Sequence, residues 1–483
     1  MNNLQISDND LYGKRFNGHF LQVSLNARGI HSNHIVWRKH SKNNHTFEII
    51  KSKPSLLYGI TKFNTDNSLQ NTFFPDWITL VNNRHFLDSD VVHYHMLHNA
   101  SFNLSLLPVL TRLKPSIWTL HDPWALTGHC IHPFSCEKWK TGCGDCPDLD
   151  TDHKIKHDLT ALNWEMKKSY YMASEFDVIV ASDWMFNLAK TSPLLQNKMI
   201  HKVPFGLDLN VFKPGSSLEA KKRLGIAAGN LVIGFRASSW KLKGLEYIKE
   251  TLKRIKPEKP VTLLTFNNKG LVDEFRNRFS ILDLGWVDDE QKMVQAYQAV
   301  DVFLMPSTAE AFGMMAIEAM ACGKPSIVFE GTALTEVIHH PEGGIAVPSK
   351  NCEKMANELE KLLNNEDLRQ KIGENALTIA KKHYSQERYI DDIINIYQEI
   401  IRRKVPDNRN SHLVRQLKKT SEIDHLKETG FLTNKVEFIK IYLNYFSGNR
   451  IGRTIIQRLL YPLGRKVLFY MRRKPKINDE REN

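Results

Sequence analysis

The sequence predicts an α/β protein of two parallel-sheet domains followed by a basic C-terminal helical extension. Three observations predict it. Short apolar runs alternate with helix-period stretches along the first 400 residues; turn residues cluster between two such series near 203–215; and the charge balance changes after residue 400. The 483 residues are roughly two to three times the usual domain of about 150. With 42% hydrophobic residues, 25% charged residues and 6 Cys, the chain is neither disordered nor a disulfide-stapled miniprotein. No apolar run reaches the ~18 residues of a transmembrane helix, and the opening MNNLQISDND lacks the apolar core of a secretory signal. A cytoplasmic setting with reduced thiols is therefore expected.

The apolar runs of the first half are 91–95, 116–121 and 178–181. Those of the second half are 231–235, Val261–Phe266, Val302–Met305 and Ser326–Phe329. Helical periodicity fills 160–174, 245–255 and 289–299, and a last helix over 387–403 stops before Pro406-Asp407-Asn408. The turn cluster VPFGLD with Pro214-Gly215 places a boundary at 203, giving domains 1–202 and 203–400 and a tail 401–483. Each half is long enough to bury its own core. Two such halves face each other across a cleft, and ligands of parallel sheets lie beyond the carboxyl ends of the strands.

The most informative stretch is 301–336, DVFLMPSTAEAFGMMAIEAMACGKPSIVFEGTALTE. A strand is halted by Pro306-Ser307, a loop carries Glu310, and Phe312-Gly313 opens a helix over 314–322 that is apolar on nearly every face. Its one charge is Glu318. A carboxylate in so apolar a helix is costly unless something pairs with it, either a structural Arg or hydroxyl or a ligand hydroxyl or cation. Gly313 permits close backbone approach, and a helix start presents N–H groups to an anion. The combination suits a polyhydroxylated ligand carrying phosphate.

These residues carry a resemblance. Glu310-x7-Glu318, inside PSTAEAFGMMAIEAMACGKPSIV, resembles the E-x7-E signature of retaining, nucleotide-sugar-dependent glycosyltransferases of family 4, which have the GT-B fold. VPFGLDLNVFKP (203–214), Gly234-Phe235-Arg236 with Lys243-Gly244, and 332–336 are similar to further segments of that family. The resemblance covers about 203–400 best. It implies that Arg236 and Lys243 clamp the donor diphosphate as charge grows on the leaving group. It further implies that Glu310 holds donor-sugar hydroxyls, Glu318 the ribose hydroxyls, and that backbone N–H groups of Phe312, Gly313, Met314 and Met315 approach phosphate or sugar. Lys241 lies at the commoner spacing from Arg236, but Lys243 is preferred because Gly244 follows it. No metal is obligatory for catalysis, and the nucleotide-diphosphate sugar is a substrate rather than a cofactor.

In the first half, Trp118-Thr119-Leu120-His121-Asp122 puts His121 at a strand's carboxyl end, where the family commonly has an acceptor-side His. The loop LYGKRFNG (11–18) is not a phosphate-binding P-loop, since His19-Phe20 rather than Lys-Ser/Thr follows Gly18. Gly13 is its candidate for close backbone approach. His93, His95 and His98 are expected to serve packing and polarity rather than metal. Cys130, Cys136, Cys143 and Cys146, spaced C-x5-C-x6-C-x2-C, leave two readings open: a structural metal or loop staple, or reduced thiols. The stretch 118–147 also resembles a subset of these enzymes acting in bacterial exopolysaccharide assembly.

The tail, 401–483, holds 20 Lys+Arg against 8 Asp+Glu, whereas the first 400 residues hold 46 against 45. Apolar residues at 451, 455, 459, 463, 467 and 471 form a stripe among Arg453, Arg458, Arg465, Lys466 and Arg472, with Pro462 interrupting it. A basic amphipathic helix reads as lying on an anionic membrane surface, or else packing on the body or a partner. A near-neutral body argues against nucleic acid. The expected activity is transfer of a sugar, with retention, from a nucleotide-diphosphate sugar to a lipid-linked or oligosaccharide acceptor of surface polysaccharide synthesis, at the inner face of the plasma membrane. The rival expectations are a nucleotide-sugar epimerase or phosphorylase and a non-catalytic GT-B scaffold.

Overall fold

A computed structural model describes residues 1–403 apart from 51, 53, 73 and 100. The proposed tail helix lies outside the described residues. The described chain holds two sheets. The first contains β1 (Asn2–Asn9), β2 (His31–Arg38), β3 (Thr46–Glu48), β4 (Val91–Tyr94), β5 (Ser116–Thr119), β6 (Asp177–Val180) and β7 (Ile200–Lys202), in the order β3-β2-β1-β4-β5-β6-β7. The second contains β8 (Leu231–Arg236), β9 (Val261–Phe266), β10 (Ser280–Asp283), β11 (Val302–Met305), β12 (Ser326–Phe329) and β13 (Ile345–Val347), in the order β10-β9-β8-β11-β12-β13.

In both sheets the strand order reverses beside the first strand, between β1 and β4 and between β8 and β11. Both pairs are parallel, with Ile6 opposite Tyr94 and Phe235 opposite Leu304. In such doubly wound sheets the loops leaving the carboxyl ends of the two strands diverge to opposite faces, which opens a crevice for ligands. That topological fact positions everything below.

The second sheet is built as its sequence suggests. All six residues of β9 are buried, and β8 is buried up to Phe235, leaving Arg236 partly exposed at its end. Ile233, Phe235, Leu263, Leu304 and Ile327 join Leu252 and Leu359 of the covering helices in one core. Helix Glu290–Ala299 starts where the Asp289 side chain accepts the N–H groups of Gln291 and Lys292, and helix Ser217–Arg223 starts on a Ser216 cap.

The first sheet contains a strand that its composition disguises. Asn2–Asn9 reads as polar, yet Leu4 and Ile6 are fully buried on one face of β1, and Asn3, Gln5 and Ser7 are at most 2% exposed on the other. Period-two alternation is present, but both faces are inside.

By their contacts the residues form two compact units. Among the described residues, one comprises 1–178, 191–199 and 397–403; the other comprises 179–190 and 200–396. Helix Gln386–Arg403 therefore begins in the second unit and ends in the first.

Candidate functional site

In the second unit, Arg236 ends β8, and the loop after it turns through Lys241 and Lys243 to Gly244. The loop after β11 carries Glu310. The two loops are joined by a hydrogen bond from the Thr308 N–H to the Leu242 carbonyl at 2.9 Å. Gly244 has φ +74°, and a Cβ there would lie 2.0 Å from the Pro306 carbonyl oxygen, so only glycine permits this approach. The result is an ion pair: Lys243 Nζ lies 2.8 Å from Glu310 Oε2, with both side chains 17% exposed. Lys243 also stands 5.1 Å from the centre of the Trp240 ring, whereas Lys241 is exposed. Glu310 is tied down by its own carbonyl, which accepts the Ala333 N–H at 3.1 Å.

Gly313 caps helix Met314–Ala321 in the left-handed region, and a Cβ there would meet Leu334 at 2.4 Å. Phe312 is buried against the rings of Phe205 and Tyr384, so its side chain belongs to the core. Met314 and Met315 are half-buried in the first turn, where N–H groups have no partner within the helix. Glu318 is 2% exposed, and its Oε2 accepts the Tyr297 hydroxyl at 2.7 Å. Tyr297 is the partner that the sequence left unnamed; it lies one helix earlier, at a distance in the chain that no local spacing reveals. Glu336 caps the start of helix Asp183–Thr191 by accepting the N–H groups of Asp183 and Trp184. Burial nevertheless raises its pKa.

In the first unit, His121 follows β5 and is held neutral, burial pushing its pKa down to about 3. Its Nε2 is 3.4 Å from His95 Nδ1, and its ring lies 5.5 Å from that of Phe16. Phe16 in turn covers Gly13, where a Cβ would meet the ring at 2.6 Å, so the close approach that Gly13 permits is that of a side chain in its own loop. His98 Nε2 lies 3.1 Å from the Asp122 carboxylate. Burial pushes Asp122 up, but the His98 charge and hydrogen bond, with the Trp124 N–H, outweigh it and hold the carboxyl below its usual value. His93 bonds Tyr397 Oη at 2.7 Å and Thr119 Oγ1 at 2.6 Å, as packing polarity would.

The four-cysteine loop lies beside a buried lysine, on the helix expected at 160–174, that the sequence did not single out. Lys167 is 2% exposed and donates to the carbonyls of Trp124 at 2.6 Å and Thr127 at 2.8 Å, with its ammonium 3.5 Å from the centre of the Trp124 ring. Burial lowers its pKa to about 7. Burial likewise pushes the Cys130 thiol up to about 12 and Cys143 to about 11. Among the described residues, all six cysteines are free thiols and no group of three or more His, Cys, Asp or Glu is placed to hold a metal ion. No helix among them is long and apolar enough to cross a membrane.

Comparison with known proteins agrees with this geometry. The family described as Glycosyl transferases group 1 matches residues 217–378, the segment that holds Arg236, Lys243, Glu310 and Glu318. A D-inositol 3-phosphate glycosyltransferase of Acidothermus cellulolyticus is 22% identical over 63% of this chain and 72% of its own length. The putative colanic acid biosynthesis glycosyl transferase WcaC of Escherichia coli is 21% identical over 64% of this chain and 76% of its own. Among solved structures, Anabaena HepE in complex with UDP and glucose superposes with a TM-score of 0.59 at 16% identity, over 83% of this chain and 100% of its own. WaaG, a glycosyltransferase involved in lipopolysaccharide biosynthesis, superposes with a TM-score of 0.54 at 14% identity, over 82% and 99%. These likenesses establish the two Rossmann-like domains of the GT-B fold.

Proposed function

We propose, from the match of residues 217–378 to the family described as Glycosyl transferases group 1, that the chain transfers a hexosyl group, with retention, from a nucleotide-diphosphate sugar to a lipid-linked or oligosaccharide acceptor in surface polysaccharide synthesis. The observation that carries this reading is the Lys243–Glu310 pair, held at 2.8 Å by the two loops that leave adjacent parallel strands where the strand order reverses. A cation and a carboxylate in that crevice match the two halves of the donor. Lys243 and Arg236 take the diphosphate and stabilise the charge that accumulates as it departs. Glu310 takes the donor-sugar hydroxyls, and Glu318, oriented by Tyr297, takes the ribose. The backbone at 312–315 supplies N–H groups to the phosphate or sugar. The first unit serves the acceptor through His121, while Gly13, in the loop 11–18, takes part in donor binding. The reaction in this reading has no obligatory metal. Relatives named for colanic acid and lipopolysaccharide synthesis support the polysaccharide assignment.

The division at 203 and the tail from 401 remain part of the proposal. The tail's excess of 20 basic over 8 acidic residues suits an anionic inner-membrane surface. Deleting 431–483 should release the protein from anionic vesicles, and undiminished binding refutes that role.

The activity is tested by thermal stabilisation with a panel of nucleoside diphosphates and nucleotide sugars. A ligand at 100 times its Kd adds about 2.7 kcal/mol. Stabilisation by one nucleotide, abolished in Glu318→Ala, is the expected result. A folded protein stabilised by none of them overturns the reading. Inverted anomeric configuration in the product, read by NMR, overturns retention alone.

A further inference from the structure

Beside the strand reversal of the first unit lies a chain of buried hydrogen bonds whose direction can be worked out from one end. The fixed point is the His31 backbone carbonyl, which can only accept. Asn3 Nδ2 donates to it at 3.3 Å, which assigns the two ends of the Asn3 amide and leaves Asn3 Oδ1 as an acceptor. That oxygen takes Gln5 Nε2 at 2.9 Å, and Gln5 Nε2 also donates to Tyr397 Oη at 3.0 Å. Gln5 Oε1 is therefore the end that faces His95 Nε2, at 2.8 Å. A carbonyl oxygen has no proton to give, so His95 must carry its proton on Nε2 and present a lone pair on Nδ1. The atom 3.4 Å from that lone pair is His121 Nε2, which must in turn carry a proton. His121 Nδ1 is left as the accepting nitrogen.

The alternative that would break this logic is a doubly protonated ring at 95. Burial opposes it: Gln5, His93 and His95 are at most 1% exposed, and the pKa of His95 is driven well below the ordinary histidine value. The same direction runs through the neighbouring branch. Tyr397 Oη accepts from Gln5 Nε2 and lies 2.7 Å from His93 Nδ1, an arrangement compatible with a phenol proton given to Nδ1 and with His93 Nε2–H donating to Thr119 Oγ1 at 2.6 Å. The rings are also clamped in place. Those of His93 and His95 lie 4.0 Å apart, and a Cβ at Gly18, where φ is +95°, would sit 2.9 Å from His95 Cδ2. Asn3, Gln5 and His95 thus occupy polar positions on adjacent strands that a core would ordinarily fill with apolar side chains, at a desolvation cost that packing alone does not require.

We propose that Gln5 and His95 are positioning residues that hold His121 in the Nε2–H tautomer, so that Nδ1 meets its ligand as a hydrogen-bond acceptor for a sugar hydroxyl and not as a donor to phosphate. The second clause rests on the function proposed above; the tautomer does not. A neutral acceptor selects hydroxyls and rejects anions, which separates the chemistry of this unit from the cationic diphosphate site of the other.

The test reads the two parts separately. Long-range proton–nitrogen NMR of the full-length protein, with His121 assigned from His121→Gln, should show a protonated Nε2 and an unprotonated Nδ1 at pH 7. A protonated Nδ1, or a charged ring, overturns the assignment and needs no variant that might fail to fold. In Gln5→Met and His95→Met the His121 signals should move toward the other tautomer. His95→Gln, which keeps an amide oxygen as acceptor, should restore them. Unmoved signals in both Met variants overturn the positioning role. With the donor found in the nucleotide panel, the Met variants should lose about tenfold in kcat/KM for transfer while donor Kd stays unchanged. Full transfer by His121→Ala with an intact tautomer in wild type overturns the ligand role alone, and an empty nucleotide panel overturns the function without touching the tautomer.

Discussion

Replacing Glu310 by glutamine separates two contributions that the structure places in opposition. In the proposed site the donor diphosphate would compete with Glu310 for the Lys243 ammonium, so donor binding is expected to weaken this ion pair. The two charged atoms lie 2.8 Å apart and each side chain is 17% exposed. At an effective dielectric constant of about 20 this separation corresponds to about 6 kcal/mol of attraction. Desolvation of both groups and loss of side-chain freedom offset most of it, leaving a net coupling of about 1 kcal/mol for a pair at a partly wet crevice. Glutamine keeps the shape and hydrogen-bonding reach but removes the charge. Lys243 is released, the anionic ligand no longer meets a carboxylate, and a nucleoside diphosphate without sugar should bind about fivefold tighter. Transfer should fall by about a hundredfold or more if Glu310 holds the reacting sugar as proposed. Calorimetric titration of the nucleoside diphosphate into both proteins, at low and high salt, measures the first effect, and the gain should shrink with salt. Weaker or unchanged nucleotide binding in Glu310→Gln would refute the competition, and Lys243→Met should bind at least tenfold more weakly than wild type.

Three further outcomes follow from buried groups. Tyr297→Phe leaves the Glu318 carboxylate short of a donor in an environment only 2% exposed, so urea unfolding should show a loss of about 1–3 kcal/mol; a loss below ~0.5 kcal/mol contradicts that account. The pKa of Lys167 is about 7 in the fold and 10.5 when unfolded, so the unfolded state binds the extra proton between those values and stability should rise with pH there. Because Cys130 and Cys143 hold their protons in the fold to about 12 and 11, they oppose this above pH ~8.5. The rise, roughly 1 kcal/mol per unit, should therefore be measured between about pH 7 and 8.5 and be clearly smaller in Lys167→Met, where Lys198, lowered by burial to about 8, still contributes. His34, His93 and His121 are each depressed to about 3 from 6.5, so below pH ~6.5 only the unfolded chain takes up their protons. Stability should fall steeply from about pH 6 to 4, by roughly 1 kcal/mol per unit for each ring; a flat profile over that range rules the depressed values out.

The parts of the site that were legible in the sequence share one property: each is a local pattern. Glu310 and Glu318 are read from one loop and one helix, and Lys243 was preferred to Lys241 because of the glycine after it. That glycine is the residue whose missing Cβ lets the loop close on Pro306. The parts that were not legible are partners brought together across strands. Tyr297 joins Glu318 from another helix, and Lys167 reaches back to carbonyls 43 and 40 residues earlier. Strand β1 escaped for a related reason. A strand buried on both faces is expected to be apolar, but here Asn3, Gln5 and Ser7 face inward and satisfy one another and the histidines, which gives the segment the composition of a surface tail.

The sequence by itself determined the α/β class, the alternation of strands and helices in the second half, and the residue types gathered in the proposed donor site, because periodicity, helix stops and short loops are properties of neighbouring residues. Tertiary structure decided which charges neutralise one another and which partner each nitrogen of the buried His93 and His95 faces. Those outcomes depend on the order of strands in the sheet, where Gln5 lies beside His93 and Phe235 beside Leu304 although the paired residues are 88 and 69 positions apart. Hydrogen bonds and ion pairs act over about 3 Å, so their direction follows from contacts that only the folded sheet creates.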